Sequence, residues 1–188
     1  MKSKSWRNIG IVLAALVVIY LYTKLQEARY TTTSDTVFDI QPNEVGRFVI
    51  QEGDQQIELV RYDTLWVAAG YEERMVRQWR LDSFFNTVLG VERESMISDN
   101  PDKWTTYGVD DSTGRRLQVY DIGGALAADL VVGQSSANWQ SSYVREAGQD
   151  KVYLTTKSIH HALSADTTYW LEPLPEEEEE GEGEEQEQ

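Results

Sequence analysis

The chain has 188 residues and a formal charge of −15, with six Trp, ten Tyr and no Cys. That length and apolar content suit one compact domain with appendages, and the missing Cys excludes disulfides, thiolate catalysis and Cys-based metal sites. The acidic balance, with no basic stripe interleaved with aromatics, argues against a nucleic-acid partner.

In chain order, the first feature is the apolar run from Ile9 to Tyr22, fourteen uncharged and mostly apolar residues. Counted from Trp6 to Leu25 it reaches twenty residues, enough to span a bilayer, with Trp6, Tyr20 and Tyr22 suited to the interfaces and Lys24 able to snorkel. A basic start before an apolar run also fits a cleaved signal peptide. The following "YTKLQEARYTTTSD" offers no small-x-small cleavage site, so the expectation is an uncleaved anchor in contact with membrane lipid. Lys2, Lys4 and Arg7 precede the run and Lys24 and Arg29 follow it, a bias that puts the N-terminus in the cytoplasm. Residues 1–30 are thus expected to be a cytoplasmic stub and single-pass anchor, and residues 31–171 a domain outside the cytoplasm.

From Thr36 the chain reads as short strands. "EVGRFVIQ" and "QQIELVR" flank Gly53-Asp54 as a hairpin would, and "TLWVAA" follows. The period then changes: Leu81, Phe84, Phe85, Val88 and Leu89 have the spacing of one apolar helical face, and Gly90 is placed to end it. After a polar connection through "ESMISDNPDKWTTYG", strands resume as "RRLQVYD", "ALAADLVVG", "SSYVREA" and "KVYLTT", with "KSIHHALS" as a short closing helix. The predicted fold class is α+β: antiparallel sheet units each followed by a helix, covered on one side and suggesting a duplicated unit. Residues 172–188 hold ten Glu and no base, which predicts a disordered acidic tail.

The search for chemistry starts at "YGVDDSTGRRLQVY". A calcium loop beginning at Asp110 would need Gly at its sixth position and Glu at its twelfth, but Gly114 is fifth and Asp121 is twelfth. Asp110, Asp111, Ser112 and Gly114 read instead as a turn leading into a strand. His160 and His161 are adjacent, so on a helix they diverge and cannot share one metal. There is no G-x-S-x-G and no Gly-rich phosphate loop, so no catalytic, metal or cofactor residue is assigned. Trp66, Trp79, Trp104, Trp139 and Trp170 suit a core or its edge. Trp139, inside the polar stretch "VGQSSANWQSS", and the neighbouring Tyr143 are the candidates for ligand or partner contact.

Several short motifs occur in a particular order: Phe48, Ile50, Ile57 and Leu59 in two early strands, Trp66, then Tyr107-Gly108-Val109-Asp110, "LVVG" ending at Gly133, Tyr143-Val144-Arg145 and Val152-Tyr153-Leu154. Together with the anchor this order resembles the family known as domain of unknown function 4340, over about residues 36–172. Here Asp110 is followed by Asp-Ser-Thr where the family has a nearby Pro, and "RQWR" stands where the helix has a small or acidic start, as in a divergent member. The resemblance implies a bacterial protein of the cytoplasmic membrane, linked with ABC-type export systems of the gliding-motility kind as an auxiliary component. It brings no catalytic residues. The expected function is therefore a non-enzymatic accessory protein whose partner is an ABC-type permease; the alternative is an envelope glycan- or peptide-binding module using Trp139 and Tyr143. A hydrolase built on His160 or His161 is a third reading.

Overall fold

Alternating apolar residues set most of the strands, and the computed structural model describes residues 31–136 and 138–174 together with Leu16, Val17 and Tyr20. Apart from those three residues, the expected anchor lies outside the described residues, as does most of the expected tail; among the described residues no helix is long and apolar enough to cross a membrane. Among the described residues nine strands form one sheet: β1 (Thr31–Thr36), β2 (Val45–Glu52), β3 (Gln55–Tyr62), β4 (Leu65–Ala68), β5 (Glu92–Ser98), β6 (Arg115–Asp121), β7 (Leu126–Gln134), β8 (Ser142–Glu146) and β9 (Val152–Thr155). Their order is β1-β5-β9-β8-β7-β6-β2-β3-β4, and every pairing is antiparallel.

The two expected strand runs are therefore not separate units. β2 pairs with β6, placing Phe48 opposite Val119 and Ile50 opposite Leu117, so the β2–β4 and β6–β9 meanders share one continuous face. Part of the expected polar connection is itself strand: β5 lies between β1 and β9, joining the second meander to the N-terminal edge.

One face carries the main core. Phe48, Ile50, Leu59, Leu117, Val132 and Val144 point into it from the sheet. Helix α1 (Gln78–Ser83) covers them and runs on into a wider turn, Phe84–Val88, where the Leu89 N–H donates to the Phe84 carbonyl five residues back. Phe84 stacks on Phe48 with centroids 4.0 Å apart, and Phe85 packs on Trp66 at 5.5 Å. The C-terminal segment completes this layer. Trp170, in the short helix α3 (Thr167–Trp170), is fully buried against Phe48 and donates its indole N–H to the Ser164 carbonyl at 2.7 Å. Each such buried aromatic contributes about 1.5–3 kcal/mol of transfer free energy.

The opposite face, expected to be bare, is covered over one half. A turn at Pro101–Lys103, helix α2 (Trp104–Tyr107) and the residues after it lie on β7, β8 and β9, enclosing Val109, Val131, Tyr143 and Val152 in a second core. β8 is consequently buried on both faces, which is why Ser142, Tyr143, Val144 and Arg145 are all inaccessible.

Candidate functional site

The acid-rich stretch "YGVDDSTG" is a latch on that second core. Gly108 ends α2 with φ +61, the left-handed conformation glycine adopts without strain. Its neighbour across the contact is Gly133 of β7, where a Cβ would lie 2.0 Å from the Tyr107 carbonyl oxygen and 2.7 Å from that of Gly108. Arg145, 3% exposed, then grips the segment from β8. Its Nε–H donates to the Val109 carbonyl at 2.9 Å, its NH2 group meets Asp111 at 3.0 Å, and its guanidinium lies 3.9 Å over the Trp104 ring.

Asp110 does local work in the same stretch. Its carboxylate accepts from the backbone N–H of Ser112 at 2.9 Å and of Thr113 at 3.1 Å, and from both hydroxyls. Burial works against its ionisation, but these four donors outweigh it and hold the carboxyl well below the usual carboxylate range. Asp110 is consumed by its own turn, whereas Asp111, with its side chain 82% exposed, spends one carboxylate oxygen on Arg145.

Of the two histidines, His160 is built into the fold and His161 is exposed. His160 and His161 lie on a single helical turn, His160–Ala162, with rings 5.7 Å apart. Burial, then the Arg115 charge and His161, depress the His160 pKa to about 4, so it stays neutral near pH 7. Arg115 donates to its carbonyl at 2.6 Å and to Glu52 at 2.5 Å. The neighbouring Ser142 hydroxyl is fully buried and accepts from the Ile159 and His160 backbone N–H groups at 3.0 and 3.1 Å, an arrangement that fixes the turn and leaves no path for a nucleophile. Among the described residues no group of three or more His, Asp or Glu is placed to hold a metal ion.

The two expected contact residues part company. Trp139 sits at the tip of the β7–β8 turn and is 76% exposed, while Asn138 organises the turn through bonds to Ser135, Gln140 and Ser141. Tyr143 is 7% exposed, with its ring 5.0 Å from that of Tyr107. Its expected exposure is corrected by the added layer of α2, which turns this face of β8 into core.

Around "RQWR", distinctive in the sequence only as an unusual helix start, lies an arginine row. Residues 75–77 lie antiparallel to 170–172: Val76 bridges Leu171, the Arg77 N–H donates to the Trp170 carbonyl at 2.8 Å, and the Glu172 N–H donates to the Met75 carbonyl at 2.9 Å. Arg74 reaches the Glu172 carbonyl at 3.0 Å, and Arg77 lies 3.5 Å from the Glu172 carboxylate. Arg80 sits between two rings, 3.5 Å from the Tyr169 centroid and 3.8 Å from that of Trp79. Among the described residues no carboxylate forms an ion pair with Arg80, and its Nε–H is buried with no acceptor. Met75 and Leu174 are exposed beside the row, as is Trp79 at 54%. Spacing was the available signal: Arg74, Arg77 and Arg80 recur every three residues, in a body that is otherwise acidic. With rings against its guanidinium and its Nε–H buried, Arg80 has only its terminal NH2 groups to offer an anion, and through these the row can receive a carboxylate flanked by apolar side chains.

A model of one protein family, described as Domain of unknown function (DUF4340), matches residues 66–180. No curated protein and no solved structure matches the chain.

Proposed function

The chain belongs to the DUF4340 family, and from that premise we propose that it is a non-enzymatic accessory protein which works by protein contact. In this reading residues 1–30 hold it in the cytoplasmic membrane and the sheet domain outside the cytoplasm meets an ABC-type permease. The observation that carries the contact is the surface formed by Arg77, Trp79 and Arg80. It is fixed from below by Tyr169 and the buried Trp170, yet presents an exposed indole beside an arginine that has no carboxylate partner among the described residues. Such aromatic and arginine anchors dominate the energetics of protein interfaces.

The test is a mild-detergent pull-down from native membranes with the full chain, a version carrying an unrelated anchor in place of residues 1–30, and the double variant Trp79→Ala/Arg80→Ala. Permease subunits recovered by the first two and lost with the third are the expected result. Recovery by the native anchor alone would move recognition into the membrane, and recovery by none would end the accessory reading. The exposure of Trp139 supports a second reading, an envelope peptide- or glycan-binding turn. For that reading Trp139→Ala abolishes retention on peptidoglycan while leaving the melting temperature unchanged.

A further inference from the structure

The arginine row lies at the root of the most acidic segment of the chain. Residues 172–188 hold ten Glu, and the first of them, Glu172, is already engaged by Arg74 and Arg77. Arg80, one helical turn further on, has rings on both faces and no carboxylate. We propose that the glutamates of residues 175–188 fold back onto the Arg77–Arg80–Trp79 surface of the same chain and cover it until an acidic partner segment displaces them.

Three considerations favour this occupant. The first is charge: Glu176 to Glu180 follow Pro175 directly, and the row is where three arginines come within seven residues of sequence. The second is reach. Fourteen residues extend to about 46 Å, several times the width of a helix, so a segment leaving beside Met75 returns to Arg80 without strain, with Gly181 and Gly183 as pivots. The third is concentration: a short tether holds its end near the surface at an effective concentration on the order of millimolar, enough for weak, multiple ion pairs to fill the site part of the time. A partner has to exceed that, so the segment sets an affinity threshold for whatever binds the row. The inference concerns the surface itself and stands whether or not a permease is the partner, so failure of the pull-down leaves it intact.

The absence of Cys makes a direct test clean. Glu179→Cys in the full chain, in detergent micelles, takes a single nitroxide label, and broadening of the tryptophan indole N–H signals is read by NMR. At low salt the Trp79 signal is expected to lose most of its intensity while Trp139 keeps its own. The loss should reverse in about 1 M NaCl, where charges separated by more than about 3 Å are screened, and in Arg77→Ala/Arg80→Ala. Equal intensities for Trp79 and Trp139 would overturn the proposal, as would broadening that survives both salt and the double variant. Mixing isotope-labelled chain lacking the nitroxide with unlabelled chain carrying it separates the remaining occupant: broadening in that mixture means the segment of a second copy, and overturns the same-chain form.

Discussion

Arg145 and Arg80 each lie flat on a tryptophan ring, 3.9 and 3.8 Å from its centre, yet their surroundings are opposite in kind. Around Arg145 a carbonyl, a carboxylate and a ring are all in place. Around Arg80 the two faces are filled and the hydrogen-bonding edge is not. A guanidinium held through its Nε–H and one NH2 group fixes a fold, whereas one with its rings but no acceptor in place is open to an anion. The same residue pair, Arg with Trp, thus closes a core at one place and, in the proposed reading, forms a contact surface at the other.

Substitutions in the latch should separate the two regions most sharply. Gly133→Ala forces a Cβ into the Tyr107 carbonyl and should cost about 3 kcal/mol or more, with a large fall in the urea midpoint. Survival with an unchanged midpoint would mean that the latch is not held as described. Arg145→Ala should follow at about 2–3 kcal/mol, because it leaves the Val109 carbonyl unpaired under a cavity beside Trp104. Arg145→Lys should recover only part of that, since an ammonium cannot reproduce the planar fork.

A third arginine sharpens the comparison through pH. Arg115 fixes the His160 carbonyl, and the His160 ring has a folded pKa of about 4 against an unfolded value of about 6.5. Between those values the unfolded chain binds the extra proton, so stability should fall as pH drops from about 6.5 to 4. His160→Gln should flatten that part of the profile, and a profile identical to that of the parent chain would show that the ring is more solvated than its burial indicates. The smallest effect is expected at the open region. Arg80→Ala should change stability by about 0.5 kcal/mol or less while weakening partner capture. A loss comparable to that of Arg145→Ala would place Arg80 among the fold-holding residues and break the comparison.

The strands with clean alternation were legible: "RFVIQ", "QIELVR", "LQVYD" and "VVG" all fall where the pattern puts them. The helical face from Leu81 to Leu89 was legible too, although its widened turn at Phe84–Val88 was not, because one extra residue in a turn leaves the apolar spacing almost unchanged. β5 was missed because "ERESMIS" is paired on both sides yet only half buried, so its charged residues hide the period. Missing β5 and α2 together concealed the second core, and with it the burial of Tyr143. The family-like motifs were visible as words without a reason. The structure supplies one: "YGVD", the Gly of "LVVG" and the Arg of "YVR" are three sides of a single contact.

The place of β5 in the sheet also dictates an order in time. β2, β3 and β4 can zip together as soon as they are made, since each pairs with its neighbour in sequence. β5 has to wait for β9, the last strand synthesised, before its second side is covered. During that interval it is an open edge able to template pairing with another nascent chain. The Glu-Arg-Glu at its start, Glu92, Arg93 and Glu94, puts alternating charge where such a neighbour would land. The residues that made β5 hard to recognise as a strand thus guard the chain against its siblings until Val152–Thr155 arrives to close the sheet.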